Sequence, residues 1–250
     1  MSIIATMMRM DIMIMTKQQC SFPLLALLRQ QAWLSPVFPT GAYSYSHGLE
    51  WAVEVGHVQD CKTLVDWLEA DLRYGSGRNE AIFFNEAWAS ASKDDRSRLL
   101  RVAELAAVFR STSEFALESA QQSTACLGMM RRLWGDRLLD WLSAMLSKLD
   151  LPPALAVVFG IRAATQGVPV NLALPAFLQS FIANLVNAAV RLLPLGQTDG
   201  QLALARLEKA VLSTSAKTKK ATLDDLGSAA FMVDLSSMAH ETQYTRLFRS

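Results

Sequence analysis

Apolar residues recur along this chain at intervals of three and four, the repeat of one helical face, and no run alternates strictly enough to read as a strand. Leu64, Val65, Leu68 and Leu72 share one face behind Asp60, which is placed to cap a helix start. Leu99, Val102, Leu105, Ala106 and Phe109 form a second stripe, with Asp94 and Asp95 at its dipole-favoured beginning. Leu138, Leu142, Met145 and Leu149 form a third, which Pro152 and Pro153 end, and the same prolines open a helix over 154–166 that Gly167 closes. A further helix is expected over 22–34, stopped by Pro36 and Pro39. The pattern predicts an all-α fold, a bundle of roughly eight to ten helices around one core.

The most apolar segment is read as a helix opened by Pro175 and running to Leu193. Phe177, Phe181, Leu185, Ala188 and Leu192 line one face and Leu178, Ile182, Val186 and Val190 the next. Ser180, Asn184, Asn187 and Arg191 fall in one narrow stripe, spaced four, three and four apart. Such a helix belongs at the centre of a bundle, so Asn184, Asn187 and Arg191 are expected as a polar stripe within the core, bonded to neighbouring helices or lining a channel. The segment is long enough to cross a bilayer, but its Arg, two Asn and two Pro argue for a soluble core. Residues 196–200 (GQTDG) read as a turn in which Thr198 or Asp199 caps a helix from Gln201, and 75–78 as a short Gly-Ser turn. The polar stretch 213–222, with Lys217, Lys219 and Lys220, reads as a solvated linker.

Composition narrows the function. Hydrophobic residues make up 51% of the chain and charged residues 19%, and 24 Lys and Arg stand against 23 Asp and Glu. A nearly neutral chain with a surplus of apolar residues points to protein partners, with no nucleic acid and no membrane among them. Cys20, Cys61 and Cys126 are far apart and odd in number, as reduced thiols of a cytoplasmic protein are. The Met-rich stretch over 1–19 is broken by Arg9 and Asp11 and followed by no cleavage site, so it is no signal peptide. Residues 1–20 are expected as a disordered extension, with an over-extended translation start as its origin, residues 21–235 as the helical domain, and 236–250 as a C-terminal docking tail.

No phosphate-cradling glycine motif and no nucleophile elbow occurs, and no catalytic residue is assigned. His240-Glu241 begins like a zinc-protease helix, but Tyr244 stands where the second histidine belongs. No metal site and no cofactor is expected. A helical enzyme with a dispersed site stays open as the alternative to a docking protein.

Two segments are candidates for docking. In LSPVFPTGAYSYSHGLE (34–50), Tyr43 and Tyr45 combine rings with hydroxyls beside Ser44, His47 and Glu50, which suits a recognition surface or the packing of a tight turn. In SSMAHETQYTRLFRS (236–250), Tyr244, Arg246, Leu247, Phe248 and Arg249 are of the types enriched at interface hot spots, and the segment is suited to dock on its own bundle or on another chain.

These blocks, with AAVRLLPLGQTDGQ (188–201), resemble the urease accessory protein UreF family over most of the chain from about Leu24. Arg110, Glu114, Glu118 and Ser119 are similar to the family's Arg-x-x-x-Glu-x-x-x-Glu-Ser segment. The resemblance implies an all-α homodimer that joins UreD (also called UreH) to the GTPase UreG on apo-urease and coordinates nickel delivery without being an enzyme. It implies that Tyr244, Arg246, Leu247, Phe248 and Arg249 engage UreD. It also implies that Tyr43, Ser44, Tyr45, His47 and Glu50 contribute to the dimer or the UreG-facing surface.

Overall fold

The computed structural model describes residues 24–250, so the extension over 1–20, Cys20 and the expected helix start at Phe22 lie outside the described residues. Eleven α-helices follow. They are α1 (Leu24–Leu34), α2 (Leu49–Glu54), α3 (Cys61–Tyr74), α4 (Ser76–Ser92), α5 (Arg96–Val108) and α6 (Ser113–Trp134). After them come α7 (Arg137–Leu149), α8 (Leu155–Thr165), α9 (Val170–Leu192), α10 (Gln197–Thr218) and α11 (Phe231–His240). Two short 3₁₀ turns, Ala42–Ser44 and Leu223–Asp225, complete an all-α fold with no strand among the described residues.

Local chemistry fixes many of these boundaries. Asp60 accepts from Thr63 N at 2.8 Å while the Thr63 hydroxyl accepts from Asp60 N at 3.0 Å, a reciprocal cap that starts α3. Asp95, Thr112 and Asp136 cap α5, α6 and α7 in the simpler way, each accepting from a first-turn amide. The apolar stripes then face inward: Leu64, Leu68 and Leu72 of α3, Leu99, Val102 and Ala106 of α5, and Leu138 and Leu142 of α7 are buried.

Helix α4 runs through the middle and packs against α3, α5, α8, α9 and α10. Its closest neighbour is α8, buried continuously from Ala156 to Ala163. Gly160 permits the approach: a Cβ there would lie 2.7 Å from the Phe84 carbonyl oxygen and 3.1 Å from Ala87 Cβ. Arg162, on the same helix and 1% exposed, is paired with Asp136 at 3.1 Å, with Trp33 and Trp134 facing its guanidinium at 5.7 and 5.4 Å. Two indole faces and one carboxylate stand around this cation in place of water, while its Nε and Nη2 meet no acceptor among the described residues.

The structure corrects several expectations. Helix α9 begins at Val170, not at Pro175, which lies inside it. A proline in the second turn forfeits a single hydrogen bond, and the added turn buries Ala173 and Leu174. The polar stripe of α9 is not in the core: Asn187 and Arg191 are exposed, and Ser180 and Asn184 half-buried. The apolar arc is wide enough to fill the neighbouring helices and leaves the stripe at the surface. Helix α10 starts at Gln197, with Asp199 Oδ2 reaching back to Gly196 N at 2.9 Å, so Asp199 caps from within. It also runs through most of the expected linker over 213–222, because the Thr214 and Thr218 hydroxyls bond to Leu72 O and Thr214 O and are buried there. Helix α11 spans the boundary drawn between 235 and 236, and the non-helical tail begins after His240.

Candidate functional site

The two segments singled out for docking meet. Helix α11 buries Val233, Ser236, Ser237 and His240 and leaves Phe231, Met232, Leu235 and Met238 in solvent. Its buried face lies on the start of α2, which the backbone enters through His47 (φ 58°) and Gly48 (φ 74°). Both angles are left-handed, a conformation glycine adopts freely and histidine seldom does. At Gly48 no other residue fits, since a Cβ would stand 2.8 Å from Ser237 N.

This approach delivers Glu50 of α2 to His240 of α11. His240 is fully buried, with Nε2 3.1 Å from Glu50 Oε2 and Nδ1 2.9 Å from Glu114 Oε2 in the first turn of α6. Both contacts are hydrogen bonds only when both ring nitrogens carry hydrogen, because a carboxylate can only accept. Glu50 then takes the tail itself: Leu247 N donates to its Oε1 at 2.6 Å and Phe248 N to its Oε2 at 2.9 Å. Arg246 Nη1 approaches Glu114 Oε1 at 3.4 Å.

The last residues are threaded along the 43–50 segment. Arg249 N donates to Ser44 O at 2.8 Å and Ser46 N to Ser250 O at 2.7 Å, while the Ser250 hydroxyl donates to Glu118 Oε2 at 2.9 Å. Phe248, 4% exposed, lies under the Arg191 guanidinium at 4.4 Å, and Arg191 Nη1 donates to Tyr43 O at 2.6 Å. Tyr45 is buried and its hydroxyl donates to Gln121 Oε1, whereas the Tyr43 ring is exposed. Tyr43, Ser44, Tyr45, Glu50, Arg191 and the tail therefore form one site. Asn184 lines a cavity beside it, and Asn187 takes no part. Of the tail side chains, Tyr244 and Leu247 face solvent, Arg246 and Arg249 are largely exposed, and Phe248 is the anchor.

Sequence reasoning passed over the residues that close the site. Glu114 and Glu118, one helical turn apart, stand in the sequence reading only as part of a family-like segment, and His240 as half of a zinc motif and a member of the tail block, with no role of its own. Their spacing from Arg110 is i, i+4, i+8, one face of a helix entrance, which was the available signal.

A second network lies next to the first. His47 stacks on Phe115 with ring centroids 3.8 Å apart, and its Nδ1 is 3.1 Å from Glu118 Oε2 and its Nε2 2.8 Å from Ser76 Oγ. Burial lowers the pKa of His47, but the charge and hydrogen bond of Glu118, with Asp71 and Glu80 behind, outweigh it and leave the pKa raised. The Ser76 hydroxyl also contacts both oxygens of Asp71, at 2.8 and 2.9 Å, and burial pushes the Asp71 carboxyl upward. Among the described residues no grouping of three or more His, Cys, Asp and Glu is arranged to hold a metal ion. Cys126 is buried and its thiol pushed up by that burial; Cys61 is half-buried and forms no disulfide among the described residues.

Comparison with known proteins gives concordant matches. The family model described as UreF matches residues 58–208. A protein of Bradyrhizobium diazoefficiens named urease accessory protein UreF is 47% identical over 225 residues, covering 90% of this chain and 92% of its own. One of Rhodopseudomonas palustris strain BisB5 with the same name is 46% identical over 226 residues, covering 90% and 91%.

Proposed function

The chain belongs to the UreF family, whose relatives here are named urease accessory proteins, and from that membership we propose that it scaffolds UreD and the GTPase UreG on apo-urease. In this reading it is a cytoplasmic homodimer that couples GTP hydrolysis by UreG to insertion of nickel into urease. It supplies binding energy and no catalysis, and needs no cofactor. Coupling of this kind rests on unequal affinity for the two nucleotide states of UreG.

One observation carries the assignment of the UreD surface. Glu50, Ser44 and Ser46 hold the backbone of residues 247–250, with His240 beside the Glu50 carboxylate, so the outward side chains there are presented in a fixed arrangement. Tyr244 and Leu247 are exposed, and so is the Phe231, Leu235 and Met238 stripe of α11 immediately before them. Apolar groups held rigidly in water lose little further entropy when a partner covers them. Removing residues 244–250 would also remove the buried Phe248 and Ser250, so substitution of exposed groups is the cleaner experiment. The double variant Tyr244→Ala, Leu247→Ser is expected to keep its thermal midpoint while losing at least about tenfold in affinity for UreD, two hot-spot truncations. Urease activation with UreD, UreG and GTP should fall with it. Undiminished capture of UreD would refute this surface.

The enzyme reading has one feature in its favour, since Ser76, His47 and Glu118 have the order of a nucleophile, base and orienting carboxylate. The hydrogen-bond order opposes it: the Ser76 hydroxyl donates to Asp71, 2.8 and 2.9 Å from its two oxygens. A hydroxyl whose proton is directed to a carboxylate does not offer it to the imidazole as a base.

A further inference from the structure

The seat of the tail turns on one proton. His240 is fully buried, with Nε2 3.1 Å from Glu50 Oε2 and Nδ1 2.9 Å from each oxygen of Glu114. A neutral imidazole offers one N–H and one lone pair, so in either tautomer one carboxylate meets a lone pair where no water can come between them. The imidazolium donates to both. Glu50 is also what holds the tail, since Leu247 N and Phe248 N donate to its two oxygens. The group that fixes the tail is thus itself fixed by His240.

Few other charges face the ring. Helices α2 and α6, which pack against α11, contribute Glu50 and Glu114. The tail contributes Arg246, 3.4 Å from Glu114 Oε1 with its side chain 42% exposed. His47 and Glu118 form the next pair along α6, and the Ser250 hydroxyl donates to Glu118. Asp234 of α11 is engaged by the hydroxyls of Ser111 and Ser228, and Glu54 and Glu241 are exposed. With His240 charged, two buried carboxylates face two cations. Without that charge they share one guanidinium that stands half in water, and carboxylates so placed repel each other.

We propose that His240 is a proton-operated latch for the C-terminal tail. Its imidazolium fastens Glu50 and Glu114 to α11, and Glu50 fastens Leu247 and Phe248. As pH rises the ring gives its proton to solvent, the carboxylates part, and the tail leaves the 43–50 segment while the bundle stays folded. Glu50 must stay ionised to accept from the ring and from both amides, so the latch operates above the ordinary carboxylate range. The seated tail presents Tyr244 and Leu247, so assembly with UreD weakens as pH rises. That consequence rests on the UreD surface proposed above; the latch itself does not.

Fluorine resonances of the full chain labelled with para-fluorophenylalanine test it, the Phe248 signal being identified by its loss in Phe248→Leu. Between pH 6 and pH 9 that signal should pass from a buried to a solvated ring in a single one-proton step, and the His240 ring resonances should titrate with the same midpoint. His240→Gln, neutral and similar in reach, should show the solvated ring throughout with α8 still protected from hydrogen exchange, and His47→Gln should keep the step. A Phe248 signal that stays constant over the range, whether or not the His240 ring titrates, would overturn the proposal on wild type alone. So would the same step in His240→Gln, or its loss in His47→Gln. Affinity for UreD should fall about tenfold or more across the step. An unchanged affinity with Phe248 released removes the UreD surface and leaves the latch standing.

Discussion

Around Gly160 the backbones of α4 and α8 approach with no side chain between them, whereas around His240 two carboxylates, an imidazole and two tail amides meet in a space equally closed to water. The first contact joins helices in the middle of the chain and is made of apolar area. The second joins positions 50, 114 and 240–250 and is made of hydrogen bonds. Parting α4 from α8 exposes oil to water with nothing to replace what is lost. Parting the tail from α2 lets each amide and carboxylate rehydrate, so each bond nets only about 1–3 kcal/mol. A tail held this way belongs to the low end of the local stability scale, where docking elements are drawn from.

The contrast breaks most severely at Gly160. Gly160→Val puts branched carbon where the Phe84 carbonyl stands at 2.7 Å from a Cβ, and backbone cannot swing aside as a side chain does. A loss of about 4 kcal/mol or more is expected, enough to remove most of the folded population of an ordinary domain. Thermal unfolding measures it, with Gly128→Ala as control. There a Cβ meets nothing within 4 Å on an interior turn of α6, and a gain of about 0.5–1 kcal/mol is expected. A Gly160→Val chain that melts within a few degrees of wild type would show that the two helices can slide apart.

Glu50→Ala attacks the other side of the comparison. It strands a buried imidazole and two amides, at a cost of about 3 kcal/mol if the tail stays seated. The chain escapes most of that cost by releasing the tail. Hydrogen exchange separates the outcomes: the Leu247 and Phe248 amides should lose their protection while α8 keeps its own. Loss of protection in α8 as well would mean that the tail is part of the core's cooperative unit and no separate element.

The same division decides what could be read from sequence. Apolar stripes and Asp caps are local, so the all-α class, the starts of α3 and α5, and the extent of α7 and α8 were legible to within a residue or two. Where a polar residue is buried by a distant neighbour, the reading failed. Thr214 looks like linker until Leu72 O is placed beside it, and Pro175 looks like a helix start until the buried Ala173 and Leu174 are seen to continue the turn. The tail and the 43–50 turn were each identified as docking segments, but nothing in their spacing shows that they dock on each other. The residues that join them, Glu50 and His240, are 190 positions apart.

The smallest effect sharpens the comparison at the edge between the two regions, where His47 touches core and tail network together. Its pKa is raised above the ordinary 6.5, so the folded chain holds this proton to higher pH than the unfolded chain does. Below about pH 6.5 both states carry it and its contribution to stability is complete; as pH rises through the folded value the contribution is lost. One group moves at most one proton, so the slope is shallow. Glu118, Asp71 and Glu80 face the ring, and Asp71, raised by burial, changes stability in the same direction from its own ordinary value of 3.8 upward. The quantity to read is therefore the difference between wild type and His47→Gln in urea unfolding at pH 6 and pH 9. Wild type should lead by more at pH 6. An unchanged lead would mean that the imidazole is held by its stacking on Phe115 and by shape, with its charge contributing nothing to the seat of the tail.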